Sequence, residues 1–243
     1  MTAIRLTAKN VATAATFTAL YAVLGFVPFS PIIGIPGKAI TAAAMIAPIL
    51  GILLGPYVGT LSALMGGVLG LFLGSLSPPS VYAGAATALC SGAICGGKRL
   101  IAYVLYVFLF LALAFYPSIG PAWLFPIYTW FQIVGLVILI SPVQVFAVNS
   151  FKSENTSRLF FAFSMTSLVS TVAGQIAGTL VFETYQLPEA TYLGTWMGTA
   201  FWYPVERTII ALGSAFIGTA VFKALKPSFS PILFHLTRSE KHP

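Results

Sequence analysis

Apolar runs repeat along this chain with little charge to interrupt them, and that pattern excludes most ways a polypeptide can fold. The runs cover, approximately, residues 10–28, 39–54, 57–76, 81–97, 100–116, 123–148, 159–182 and 196–225. A helix needs about 20 apolar residues to cross hydrocarbon, with a usable range of roughly 17–25. Within lipid, each backbone N–H and C=O must find its partner inside the protein, which favours helices. Charged residues make up 7% of the 243, against roughly 25% in a soluble domain. Twelve Lys+Arg and five Asp+Glu are too few to coat a water-soluble globule of this length. The reading is an all-α, polytopic membrane helix bundle of six to eight transmembrane helices, forming a single integral membrane domain over residues 1–243.

Proline and glycine punctuate the runs, at Pro28-Phe29-Ser30-Pro31, Gly55-Pro56, Ser77-Pro78-Pro79, Gly96-Gly97 and Pro117 to Pro121. Charge then sets the count and the orientation. If all eight runs cross and the N-terminus is cytoplasmic, the inner segments hold Arg5, Lys9, Lys98, Arg99, Lys152, Arg158, Lys223, Lys226, Arg238 and Lys241. The outer segments hold Lys38 and the acidic Glu183 and Glu189. That is a positive-inside pattern, and it places both termini in the cytoplasm of a multi-pass cell-membrane protein. Runs 39–54 and 81–97 are at the short limit, so six or seven crossings stay open. The +7 net charge does not gather on one face, so no nucleic acid partner is expected. Val11 to Val27, following Arg5 and Lys9, is read as a retained first span and not a cleaved signal, since no small-residue cleavage site follows.

Small residues mark where helices approach closely in lipid. The first run carries Ala8, Ala12, Ala15, Ala19 and Ala22 at alternating steps of four and three, one stripe of a helix. This stripe is either packing within the chain or a docking face for a separate membrane subunit. The third run has two such rows, Gly55, Gly59, Ala63, Gly67 and Gly66, Gly70, Gly74, which suit a helix wedged between neighbours.

Catalytic constellations do not appear. The two histidines, His235 and His242, lie in the C-terminal tail, and no HExxH, GxSxG or phosphate-binding GxxxxGK[ST] pattern is present. No enzyme activity, metal or cofactor is expected. Cys90 and Cys95, without a nearby His, read as small packing residues. The polar residues inside apolar runs are therefore the informative ones, because intramembrane charge is costly and faces a cavity or partner. Glu206 and Arg207 stand in the last run, about 15 Å from its outer end at 1.5 Å per residue. Pro204 has no N–H to donate to the Ala200 carbonyl, which leaves that oxygen free. Gln175 in the seventh run and Gln132 with Trp130 in the sixth lie at a similar outer depth. Glu206, Gln175, Trp202, Arg207, Gln132 and Trp130 are thus the candidate residues for a small polar ligand. Glu206 and Arg207 project about 100° apart and need not neutralise each other.

Three stretches carry a family resemblance: Ala15-Thr16-Phe17-Thr18-Ala19-Leu20-Tyr21-Ala22, Pro48 to Gly59 with its Gly55-Pro56 turn, and, more weakly, Trp202-Tyr203-Pro204-Val205-Glu206-Arg207. The chain resembles the substrate-binding S components of energy-coupling factor (ECF) vitamin transporters. That resemblance implies a membrane-embedded subunit that captures a vitamin-like or other small metabolite on the outer side. It implies that Ala15 and Ala19, with Ala12 and Ala22 on the same stripe, face a transmembrane coupling (T) protein. It also implies that two separate ATPase subunits supply the energy. S components usually have six spans, so an eight-run chain carries an extra hairpin, placed around 100–148, or has two runs that do not cross. The alternative function is a self-sufficient secondary transporter or channel; such proteins often show inverted repeats, and no clear internal repeat is seen here.

Overall fold

The structure, a computed structural model, describes residues 8–34, 37–117, 119–185 and 192–225. Arg5, Glu189, Lys226, Arg238 and Lys241 of the charge pattern lie outside the described residues, as does the side chain of Lys9. The described residues form nine α-helices: α1 (Ala8–Leu24), α2 (Ala43–Phe72), α3 (Pro78–Cys95), α4 (Arg99–Ala114), α5 (Pro121–Leu124), α6 (Trp130–Ile140), α7 (Pro142–Ser150), α8 (Thr156–Tyr185) and α9 (Tyr192–Leu225). A 3₁₀ turn, Pro126–Thr129, joins α5 to α6. Prolines open α3, α5 and α7, where the missing N–H costs nothing. Ser141 caps α7 by accepting from the Val143 N–H at 3.2 Å, and α6 and α7 meet there at a 63° bend.

One part of the structure departs from the all-helical reading. Pro28–Pro31 (β1) and Ala39–Thr41 (β2) pair antiparallel, and α2 begins only at Ala43. The Pro-rich stretch after α1 reads as a turn in the sequence, but it builds a short β-hairpin over one end of the bundle.

At Gly55, α2 folds back on itself. The backbone there has φ 81° and ψ 175°, a conformation essentially reserved for glycine. Pro56 restarts the helix. A Cβ added at Gly59 would lie 2.9 Å from the Gly51 Cα, residues that a straight helix would hold about 12 Å apart. Residues 43–54 and 56–72 are therefore two arms of a helical hairpin, as the separate runs on either side of Gly55-Pro56 predict. The second arm meets α1 at Gly66, the first arm at Gly59 and α3 at Gly67, so its small rows do face neighbours. Its remaining face, with Leu61, Met65 and Leu69, is exposed.

With the two arms of α2 taken separately, α6–α7 taken as one bent unit and the four-residue α5 set aside, the described residues hold eight helical segments. By length and composition, α8 and α9 suffice to cross a membrane and the bent pair α6–α7 is a further candidate; α2 passes the same test only with its two arms counted together, and α1 and α4 are shorter apolar helices. Exposed large apolar side chains on α2, α4, α6 and α9 give the bundle a lipid-compatible exterior. The region around 100–148, expected to hold an extra hairpin, is α4 running one way and α6–α7 returning.

The two ends differ. One carries the β-hairpin, with Lys38 donating to the Gly74 carbonyl at 3.3 Å. The other gathers Lys98, Arg99, Lys152, Arg158 and Lys223; Lys98 lies on Tyr57, and Lys223 bonds Thr156. Phe151, Phe163 and Phe222 close this basic end as a ring cluster with centroids 5.0–6.1 Å apart. Cys90 and Cys95 are free and buried.

Gly55→Ala should destabilise the protein by about 1–3 kcal/mol, the strain of a side chain in that backbone region. Gly194→Ala, in open space on α9, should be neutral or slightly stabilising. Thermal unfolding midpoints of the two variants in detergent check this; equal midpoints would contradict the fold-back.

Candidate functional site

Helical spacing brings four residues of α9, Thr195, Thr199, Tyr203 and Arg207, onto one stripe at steps of four. All four line a cavity of about 530 Å³, its mouth included, beneath the β-hairpin. The hairpin contributes Ile32, Ile33 and Ile40; α3 contributes Pro79, Ser80 and Ala83; α8 contributes Gln175, Gly178, Thr179 and Phe182. Trp196 adds an aromatic wall. Its ring lies 4.6 Å from that of Tyr128, and its indole N–H donates to the Ile119 carbonyl at 3.1 Å. A second cavity, of about 430 Å³ with its mouth included, shares Ile40, Ser80, Ala83 and Arg207 with the first and extends to Tyr21, Thr87 and Thr171. Arg207 therefore stands at the junction of the two.

The polar centre is a chain of bonds across α9 and the hairpin. The Arg207 Nη2 donates to Glu206 Oε1 at 2.6 Å, and Ser30 Oγ donates to Glu206 Oε2 at 2.6 Å. The Trp202 indole N–H donates to Ser30 Oγ at 3.2 Å. Glu206 and Arg207 are buried, at 3% and 7% exposure. On the residues that line this cavity, two buried polar atoms have no partner in the structure: Arg207 Nε and Gln175 Oε1. Gln175 spends its amide nitrogen on the Tyr128 hydroxyl at 3.1 Å, which leaves its oxygen for something else.

Of the six candidate residues, Gln175 and Arg207 line the cavity. Glu206 sits behind it with both oxygens engaged. The expectation that Glu206 and Arg207 need not neutralise each other is corrected: flexible side chains on adjacent residues reach round the helix and form an ion pair. Trp202 is 48% exposed and braces Ser30 at the rim. Gln132 is buried beside the 3₁₀ turn, where its amide nitrogen, turned toward the Tyr128 and Thr129 carbonyls, donates at 2.7 and 3.2 Å. Trp130 donates its indole N–H to the Ala200 carbonyl at 2.9 Å. That oxygen is the one Pro204 cannot serve, so Trp130 repairs the helix that carries the site.

Sequence reasoning missed Ser30, Trp196 and Tyr203. Its candidates Trp202 and Glu206 each lie one residue before the row that the cavity takes, which ends in Tyr203 and Arg207. The two rows differ by one position, and the even step of four was the available signal. On α1, Ala12, Ala15 and Ala19 face outward while Phe17, Thr18 and Tyr21 face the core. Ala22 is 5% exposed, so the structure removes it from the outward stripe. The described residues hold no cluster of His, Cys, Asp or Glu suited to a metal.

Trp130→Phe leaves the Ala200 carbonyl without its donor and should cost about 1–3 kcal/mol. In a Pro204→Ala background the new backbone N–H can serve that carbonyl, so the same substitution should cost much less. A double-mutant cycle in thermal unfolding reads the difference; additive effects would show that the indole bond does not compensate for the proline.

No family model matches the chain, and no curated protein does. Among solved structures, the chain is similar to the S-component for biotin from an ECF-type ABC transporter, with 19% sequence identity over 88% of this chain and 91% of that chain and a TM-score of 0.36.

Proposed function

We propose that this protein is the substrate-binding S subunit of an ECF-type importer, capturing a small metabolite for uptake driven by partner ATPases. The observation that carries the reading is the cavity under the β-hairpin, walled by aromatic and aliphatic side chains and holding two buried polar atoms that await partners. Binding pockets for small molecules have this build, a mostly apolar wall with a few placed polar groups. The aromatic cluster of Phe151, Phe163 and Phe222 packs the opposite end, which suits a capture subunit better than an open channel.

The sequence resemblance in α1 and the Gly55-Pro56 turn supports the same assignment. The basic end, with Lys98, Arg99, Lys152, Arg158 and Lys223, faces the cytoplasm under the positive-inside rule, so the hairpin and cavity face outward. The outward row Ala12, Ala15 and Ala19 on α1 is a surface on which a helix of a T protein can lie close. The two ATPases act through that protein.

Ala15→Trp and Ala19→Trp should each abolish co-purification of a coexpressed T protein and ATPase pair, while the chain's own yield and melting midpoint change little. An indole on that face blocks close backbone approach but meets no core residue of this chain. Retained complex, or a collapsed melting midpoint in both variants, would rule out the docking face.

A further inference from the structure

We propose that the cavity selects an uncharged molecule with an apolar body and an amide-type edge, a C=O together with an N–H, over an organic anion. This rests on the capture reading above and names its substrate class. The two unpartnered atoms define what a ligand must bring. Arg207 Nε is a donor and needs an acceptor; Gln175 Oε1 is an acceptor and needs a donor. Both side chains line the cavity and are more than nine-tenths buried, at 7% and 4% exposure.

Charge decides between the molecules that could answer them. A guanidinium commonly recognises a carboxylate. Here its charge is already balanced, because Glu206 Oε1 lies 2.6 Å from Nη2. Arg207 is the one charged side chain lining either cavity among the described residues; the second adds only the hydroxyls of Tyr21, Thr41, Thr87 and Thr171. An incoming carboxylate would be a third charge with no counter-ion, in surroundings that penalise unpaired charge. It would also offer only acceptors, leaving Gln175 Oε1 unanswered. An amide, lactam or ureide supplies the acceptor and the donor and adds no charge. Its apolar body rests against Phe182, Trp196 and Tyr203.

The test uses probes matched in shape and different in charge: nicotinamide with nicotinate, and indole-3-acetamide with indole-3-acetate. Binding to the full chain in nanodiscs at neutral pH is followed by saturation-transfer NMR titration. The amide of each pair should bind at least about tenfold more tightly than its carboxylate. Gln175→Leu should abolish that preference, and Glu206→Gln, which leaves Arg207 unbalanced, should reverse it. The comparison on the unaltered chain is decisive whether or not Glu206→Gln folds. Equal or tighter binding of the carboxylates overturns the substrate class and leaves the capture reading standing. Absence of binding for all four probes at millimolar concentration overturns both.

Discussion

A carboxylate midway along an apolar helix carries a desolvation penalty of several kcal/mol unless its oxygens are paired. Glu206 meets that condition through two partners from opposite sides of the site, Arg207 on its own helix and Ser30 on the β-hairpin. The first contact orients the guanidinium at the junction of two cavities. The second ties the hairpin down, so that Ile32, Ile33 and Ile40 become the roof of the larger one. Trp202 braces the same serine from the rim. One buried acid thus links the helix that bears the site to the loop that covers it.

The helix itself needs support at that level. Pro204 interrupts the hydrogen-bond ladder of α9 within one turn of Arg207 in the cavity wall, and the freed Ala200 carbonyl is taken by Trp130 from α6. Close glycine contacts hold the rest of the frame. Gly92 of α3 packs on Pro56 at the fold-back of α2, and Gly174 of α8 packs on Ala83 and Thr87 of α3. In lipid, where apolar burial between helices gains little over lipid contact, such close approach supplies the packing energy. The cavity survives between tightly joined helices because its walls are set by these contacts at other levels.

Much of this is legible from the chain. Apolar runs and their breaks give the helices, and Gly55-Pro56 marks the fold-back because glycine alone relaxes into that backbone and proline then restarts a helix. The basic residues mark one end. Gln175 and Arg207 stand out as polar groups inside apolar runs. What sequence cannot supply is rotation and long-range pairing. On α9 the candidates Trp202 and Glu206 lie one residue off the cavity row of Tyr203 and Arg207, since 3.6 residues per turn lets two neighbouring rows look equally aligned. The Glu206–Arg207 pair was missed because helix spacing argues against adjacent residues meeting, while long flexible side chains can still reach. Ser30 lies in a Pro-flanked stretch whose β-pairing to Ala39–Thr41 depends on contacts made 10 residues away and on a partner 176 residues away. Ala22 shares the helical stripe of Ala15, yet neighbouring structure covers it at its own level.

Glu206 holds the β-hairpin over the cavity through Ser30. Spin labels on exposed positions, one at Lys38 on the hairpin and one at Met197 on α9, report that geometry by pulsed electron resonance distance measurement in nanodiscs. The unaltered protein should give a single narrow distance distribution, which should broaden markedly in Ser30→Ala. A distribution that stays equally narrow in Ser30→Ala, with the fold intact, would show that the hairpin is held by contacts other than the Ser30–Glu206 bond.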